Sequence, residues 1–208
     1  MLPDFQNKLV GIIGRKGSGK STRVKELLRY CPRILVWDPM KDHAHLPNVF
    51  EDLGELTEFL DETTSERTFA GTYVPGEDLE SEFDEVCYLV YDYGRLLFVV
   101  EEASLVCKAG YLPPPFGKMV RTGRHRAIDL LWTAQRASEV SRTLTSATDF
   151  WILYSQTEPR DLDAIAERCG KEVADRVVNL ALHDSFVYDV IERQTMEPSP
   201  RLLKRDTA

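Results

Sequence analysis

Residues 14–21 read Gly-Arg-Lys-Gly-Ser-Gly-Lys-Ser, a complete G-x-x-x-x-G-K-[ST] phosphate-binding loop of the Walker A type. The apolar run at residues 9–13 predicts a buried strand before the loop, and residues 22–30 predict a helix after it. In that setting backbone N–H groups surround the phosphates, Lys20 adds a point charge, and the Ser21 hydroxyl can hold Mg²⁺. The stretch therefore predicts a site for ATP and Mg²⁺. Its candidate binding residues are Gly14, Arg15, Lys16, Gly17, Ser18, Gly19, Lys20, Ser21 and Thr22.

Length and composition are those of a soluble globular chain. The 208 residues are 43% hydrophobic and 29% charged, which suits one domain with a sizeable core. No apolar run approaches the roughly 20 residues of a membrane span, and the first residues do not resemble a secretory signal. No C-x-x-C motif occurs, so we expect reduced thiols in a cytoplasmic protein at Cys31, Cys87, Cys107 and Cys169.

Charge is unevenly distributed along this chain of net charge −8. Residues 51–102 hold sixteen acids against two arginines, so we expect the helix within them, at residues 77–91, to lie outside or at a protein contact. Residues 115–145 are basic, as are the first fifty residues around the phosphate loop. The His43-Ala44-His45 segment has no third ligand and is read as a polar loop rather than a metal site.

The order of predicted elements indicates an α/β fold. Continuously apolar strands at residues 9–13, 33–37, 96–100, 128–133, 150–154 and 185–190 alternate with helical stretches. Such strands are typical of a mainly parallel sheet covered by helices on both faces, with ligands at the carboxyl ends of the strands. The prediction is a P-loop NTPase three-layer sandwich over residues 1–193, followed by a mobile tail or tether at residues 194–208.

Two carboxylates follow the predicted strand at residues 96–100. We expect Glu101 to bind Mg²⁺ and Glu102 to act as the general base that deprotonates the attacking water. The first of these acids is usually Asp, so Glu101 adds one methylene group at the metal site. The alternative interpretation is a pair of surface acids at the end of a strand.

Polar groups also surround the strand at residues 128–133. Gln135 follows it and could contact the γ-phosphate and align the water. Arg124 comes before it and is the first choice for an arginine finger that neutralises the transition state, with Arg121 second. The competing interpretations of these arginines are contact with DNA phosphates and structural salt bridges.

The segment at residues 121–136, taken with the phosphate loop and the paired acids, resembles the HerA/FtsK superfamily of P-loop DNA translocases. These form the RecA/ASCE-like branch that uses an additional catalytic glutamate. Ala127 and Asp129 stand where the family pattern has glycine and histidine. The matching positions are Arg121, Gly123, Arg124, Ile128, Leu130, Gln135 and Arg136.

The resemblance implies several properties. The Gln135 strand would lie between the phosphate-loop strand and the Glu101/Glu102 strand, and ring-shaped oligomers, hexamers or pentamers, would supply Arg124 or Arg121 in trans. A core without added domains is most similar to the genome-packaging ATPases of tailless, internal-membrane double-stranded DNA viruses and phages. The partners implied are double-stranded DNA bound without sequence preference, further copies of the chain, and a capsid-vertex or membrane protein in the host cytoplasm or virion.

Other functions remain open from sequence alone. A phage-assembly or conjugation ATPase of the same superfamily would share these motifs. A small-molecule or nucleoside kinase fits the length and the phosphate loop, although the paired acids and Gln135 argue against it. A nucleotide-binding switch with little hydrolysis would be favoured if Glu101 spoils the metal site.

Overall fold

The computed structural model describes residues 8–199 and has one central sheet. Along the sheet, the strand order is β3-β4-β2-β5-β6-β1-β7-β8-β9, so the phosphate-loop strand β1 lies between β6 and β7. Strands β1 to β7 are mutually parallel, whereas β8 is antiparallel to both of its neighbours, β7 and β9. The strands are β1 (Leu9–Ile13), β2 (Arg33–Trp37), β3 (Asn48–Phe50), β4 (Phe69–Tyr73), β5 (Leu96–Val100), β6 (Ile128–Ala134), β7 (Phe150–Tyr154), β8 (Ser185–Asp189) and β9 (Gln194–Met196).

Helices connect the strands, as parallel pairing requires. None of those within residues 8–199 is long and apolar enough to cross a bilayer. The helices are α1 (Lys20–Leu28), α2 (Leu53–Glu62), α3 (Leu79–Tyr93), α4 (Pro114–Thr122), α5 (Arg142–Ala147), α6 (Pro159–Cys169) and α7 (Lys171–Val178). Single 3-10 turns lie at Ala103–Leu105, Gly123–Arg126 and Ala137–Glu139.

The core has two apolar layers, one on each face of the sheet. Val24 and Leu27 of α1 pack on one face, whereas the side chains of α2, α3, α4, α6 and α7 pack on the other. Every residue of β1, β2, β5 and β6 is buried, which explains why these strands read as continuous apolar runs. The predicted three-layer α/β sandwich is confirmed.

Four elements were not expected from the sequence. The prolines at residues 113–115 were read as a chain break, but Pro114 begins α4, because proline is well suited to the first turn of a helix. Strand β3 and helix α5 are short, and their patterns carry little periodicity. The predicted tail also begins too early, since β9 pairs with β8 at residues 194–196. Residues 200–208 lie outside the described part of the chain.

Candidate active site

The phosphate loop connects the carboxyl end of β1 to the first turn of α1. Gly14 N–H donates to the carbonyl of Ala134 at 3.3 Å, which ties the start of the loop to the end of β6. Gly19 has φ +106°, a backbone conformation that residues with a side chain rarely adopt. A Cβ on Gly14 would lie 2.4 Å from Ser18 Oγ. These glycines allow the tight curve that leaves room for phosphate groups.

Lys20 is buried and folds back over the loop. Its Nζ donates to the carbonyl oxygen of Gly14 at 2.6 Å. Burial lowers the pKa of the Lys20 ammonium below its usual value, because a charge is costly away from water. The opposing influence, which raises that pKa, comes from three carboxylates, those of Glu102, Glu101 and Asp42. The ammonium therefore lies at the centre of the charged groups of the site.

Two aromatic side chains support the loop from outside. Tyr154 at the end of β7 donates its hydroxyl to the carbonyl of Gly19 at 3.3 Å. His183 Nδ1, in the turn before β8, lies 3.3 Å from the carbonyl of Ser18. Carbonyls bonded in this way fix the peptide planes of the loop. Sequence reasoning missed both residues, because Tyr154 reaches the loop through the pairing of β7 with β1, and His183 through the antiparallel return of β8.

The two acids after β5 differ in their surroundings. Glu101 is buried: its Oε1 lies 2.7 Å from His43 Nε2, and its Oε2 accepts from Thr133 Oγ1 at 2.5 Å. Glu102 is partly exposed and has φ 47° and ψ 54°. Its backbone N–H donates to Thr133 Oγ1 at 3.0 Å, so one hydroxyl on β6 contacts both acids.

Gln135 lies beside Glu102. Its side-chain Nε2 donates to Glu102 Oε1 at 3.3 Å, and its backbone carbonyl oxygen accepts from Gln156 Nε2 at 2.9 Å. Glu102 follows β5 and Gln135 follows β6. These two parallel strands are neighbours in the sheet, in the order the family resemblance implies. The structure therefore brings Lys20, Glu102 and Gln135 to one edge of the sheet.

The loop after β2 joins the site, which the sequence did not indicate. Asp38 is fully buried, and its carboxylate accepts the backbone N–H groups of Asp42 at 3.0 Å and His43 at 2.7 Å. Asp42 Oδ2 in turn accepts from the hydroxyl of Ser21 at 2.9 Å. Three polar residues of this loop are thereby held against the phosphate loop and β5.

The interpretation of His43 as part of an ordinary polar loop is wrong. Its side chain is fully buried against Glu101, although His45 is exposed. Strand β2 is the neighbour of β5, so the chain after β2 enters the site from the side. Across residues 8–199, no group of three or more His, Cys, Asp or Glu side chains is arranged to hold a metal ion.

Arg121 and Arg124 lie at the opposite edge of the sheet. Both are exposed, Arg121 on the last turn of α4 and Arg124 in the 3-10 turn that precedes β6. Strand β6 spans seven residues from that edge to the phosphate loop, roughly 20 Å at about 3.3 Å per residue. Neither arginine is positioned to reach the phosphate site of its own chain.

No family model matches this sequence, and no curated protein sequence matches it either. Solved structures do. The genome packaging NTPase B204 of Sulfolobus turreted icosahedral virus 2, in complex with AMPPCP, is 20% identical with a TM-score of 0.74 over 91% of this chain and 95% of its own. B204 of Sulfolobus turreted icosahedral virus, described as a DNA-packaging ATPase, has a TM-score of 0.70 at 20% identity, with 94% and 97% coverage.

The chain has the fold of these packaging ATPases. A broader likeness extends to EssC (ATPases 2 and 3) from Geobacillus thermodenitrificans, with a TM-score of 0.52 and 14% identity over 88% of this chain and 37% of that one. The P-loop α/β fold predicted from the sequence is confirmed.

Proposed function

We propose that this protein is a Mg²⁺-dependent ATPase that drives double-stranded DNA into a viral capsid as an oligomeric ring. The observation that carries the proposal is the meeting of Lys20, Glu102 and Gln135 at one edge of the sheet, with Gln135 bonded to Glu102. A phosphate-binding loop alone fits many functions, whereas an acid and an amide beside it fit hydrolysis by water.

Each residue has a part in that reaction. Lys20 and the loop N–H groups would hold the β- and γ-phosphates, and Ser21 would face the ion that neutralises them. Glu102 would accept the proton of the attacking water while the bond between the γ-phosphorus and the leaving ADP oxygen breaks. Gln135 holds the Glu102 carboxylate at 3.3 Å and is placed to orient that water.

The residues present suit Mg²⁺. A hydroxyl and a carboxylate meet at Ser21 and Asp42, 2.9 Å apart, and such oxygen donors are what Mg²⁺ prefers. This ion commonly keeps several waters and is shared with substrate phosphates, so it needs no cage of three protein carboxylates. When bound, it would neutralise the charge that develops on the β- and γ-phosphate oxygens.

The position of the arginines supports a ring of subunits. Because Arg124 and Arg121 lie at the far edge of their own sheet, a finger role requires a site on a neighbouring copy. The same exposed group, with Lys118 and Arg126, is suited to DNA phosphates contacted without base specificity. A capsid-vertex or membrane protein would then anchor the ring.

The decisive experiment compares wild-type protein with Glu102→Gln. Wild type should hydrolyse ATP in the presence of Mg²⁺, and faster with double-stranded DNA. Glu102→Gln should lower kcat by at least about 10²-fold, because general-base catalysis commonly contributes 10²–10⁴-fold, and should leave ATP affinity unchanged. Glu85→Gln, the same change at an exposed position of α3, is the matched control and should behave as wild type.

Retention of full hydrolysis by Glu102→Gln would overturn the base assignment. Transfer of phosphate to a nucleoside, with no response to DNA, would favour a kinase. DNA-stimulated hydrolysis without DNA entry into the capsid would point instead to another translocase of this type. Mass measurement of the assembled protein with ATP and DNA would give the number of subunits in the ring.

A further inference from the structure

Both carboxylate oxygens of Glu101 already take part in buried hydrogen bonds. One carboxylate oxygen lies 2.7 Å from His43 Nε2, and the other accepts from Thr133 Oγ1 at 2.5 Å. The side chain is only 5% exposed. Moving this carboxylate toward an ion at the phosphate loop would strain or break these two buried hydrogen bonds, which is costly. Its contacts are those of a residue that holds other groups in place.

Asp42 offers what Glu101 lacks. Its Oδ2 accepts from the hydroxyl of Ser21 at 2.9 Å, and Ser21 is the loop residue whose type binds Mg²⁺ in phosphate-binding loops. The side chain is exposed, so water and ions reach it. Within residues 8–199 no hydrogen bond to Asp42 Oδ1 is found, which leaves this second oxygen available for an ion or its waters.

The loop that carries Asp42 is held in place by Asp38 on one side of Asp42 and by His43 on the other. Asp38, fully buried, accepts the backbone N–H groups of Asp42 and His43, which curls the chain toward α1. The next residue along, His43, inserts its ring against Glu101. Glu101 is therefore connected to the Asp42 loop through the His43 side chain.

The charges of the site agree with this arrangement. The negative charge of Asp42 acts on the Lys20 ammonium and opposes the fall in its pKa, as do those of Glu102 and Glu101. Lys20 is expected to bind the β- and γ-phosphates, so Asp42 lies within electrostatic range of the same phosphates. A divalent ion between them would relieve the repulsion between carboxylate and phosphate.

We propose that Asp42, rather than Glu101, is the carboxylate that acts with Ser21 on the nucleotide-bound Mg²⁺, and that Glu101 is a positioning residue acting through His43. The inference rests on the proposed function, because the ion is the one that accompanies ATP. It moves to Asp42 the metal-binding task that the sequence assigns to Glu101, and it gives Glu101 the hydrogen bonds that hold the Asp42 loop.

The test measures ion binding without turnover. Mn²⁺ is the probe, added to the protein with saturating ADP, and the loss of the free Mn²⁺ signal in electron paramagnetic resonance gives its affinity. Asp42→Asn keeps the size of the side chain and an oxygen for Ser21 but removes the charge. We expect it to weaken Mn²⁺ binding about tenfold or more, the scale seen when groups at a metal site are altered.

Substitutions at Glu101 separate charge from positioning. Glu101→Gln should bind Mn²⁺ within about twofold of wild type, since its amide can still accept from Thr133 and donate to His43 Nε2 in the other tautomer. No hydrogen bond at His43 Nδ1 is lost in that tautomer, because Nδ1 has no partner. Glu101→Ala removes both bonds and should weaken Mn²⁺ about tenfold, so rescue by Gln marks a positioning role.

Asp92→Asn is the matched surface control, because Asp92 is exposed near the end of α3, at the opposite edge of the sheet. It should not change Mn²⁺ affinity. If Asp42→Asn binds Mn²⁺ as wild type does, or if Glu101→Gln loses about tenfold, the inference is overturned. Should Glu101→Ala fail to fold, the Asp42→Asn and Glu101→Gln pair decides alone.

Binding of ADP in the presence of EDTA distinguishes this inference from the proposed function. Once divalent ions are removed, each variant should bind ADP at least as tightly as wild type, because Lys20 and the loop N–H groups are unchanged and no carboxylate is added near the phosphates. Failure of the wild-type protein to bind ADP under these conditions would count against the proposed function itself. Loss of Mn²⁺ by variants that still bind ADP concerns the metal site alone.

Discussion

The central sheet has an amino edge and a carboxyl edge, where the parallel strands begin and end. Buried charged groups have opposite kinds of partner at these two edges. At the amino edge, Arg33 is 3% exposed and donates to the carbonyl groups of Arg95, Thr63 and Glu66, while its guanidinium stacks on Phe69. Its partners are neutral backbone groups and an aromatic ring. Each of these hydrogen bonds joins strand β2 to a neighbouring loop, so the Arg33 charge has a structural role.

At the carboxyl edge, charged groups face other charged groups. Three carboxylates act electrostatically on the Lys20 ammonium. Glu102 and Gln135 are hydrogen-bonded to each other, although Glu102 is partly exposed and Gln135 is exposed. These groups remain open to solvent at the place where the proposed nucleotide and its ion would bind. The comparison teaches that burial of a charge does not identify a functional site; the identity of its partners does.

The largest effect is expected from Arg124→Ala, which tests whether an arginine at the amino edge acts on the ATP site of a neighbouring subunit. Arg124→Ala should lower kcat of the assembled protein by about 10³-fold or more, the scale of a trans arginine finger, with little change in ATP affinity. Mixing Arg124→Ala with Glu102→Gln should restore part of the activity. In mixed rings, some sites combine an intact Glu102 from one chain with an intact Arg124 from the next.

Arg67→Ala, at an exposed position in the loop after α2, is the control for Arg124→Ala. If activity without DNA is unchanged in Arg124→Ala but DNA affinity falls, the residue contacts phosphates of DNA instead. The same pair of measurements on Arg121→Ala decides between the two arginines.

A smaller effect is expected from removing the structural charge at the amino edge. Arg33→Met keeps the apolar stem but leaves three partly buried carbonyls without this donor, each costing about 1 kcal/mol. The free energy of unfolding should fall by about 3 kcal/mol, measured by urea denaturation. Arg67→Met should change it by less than about 0.5 kcal/mol. Loss of ATP affinity in the folded variant would show that the two edges are coupled.

The smallest effect concerns the hydroxyl that contacts both acids. Thr133→Val leaves Glu101 Oε2 and the Glu102 N–H without their partner, so both acids become less well placed. We expect kcat to fall about tenfold, since small misplacements of catalytic groups are costly, with ADP affinity in EDTA unchanged. Thr72→Val on β4 is the control, as it removes a buried hydroxyl whose bond to Val36 is long, at 3.4 Å. Equal losses of kcat in both variants would refute a specific role for Thr133.

Much of the fold could be predicted because its signals are local. The apolar runs of β1, β2, β5 and β7 mark their strands to the residue, since both faces of these strands are buried. Where burial is partial or the element is short, as in β3, β9 and α5, the pattern is too brief to identify. Pro114 shows a different failure, because the same residue that ends one helix can begin another.

The sequence by itself determined the phosphate loop, the paired acids, Gln135 and the alternation of strands and helices, because each is written within a few neighbouring residues. Only the tertiary structure decided that β2 lies beside β5, and hence that Asp42 meets Ser21 and His43 meets Glu101. It also placed Arg121 and Arg124 at the far edge of the sheet. Strand order depends on packing between distant segments, and no local pattern encodes it.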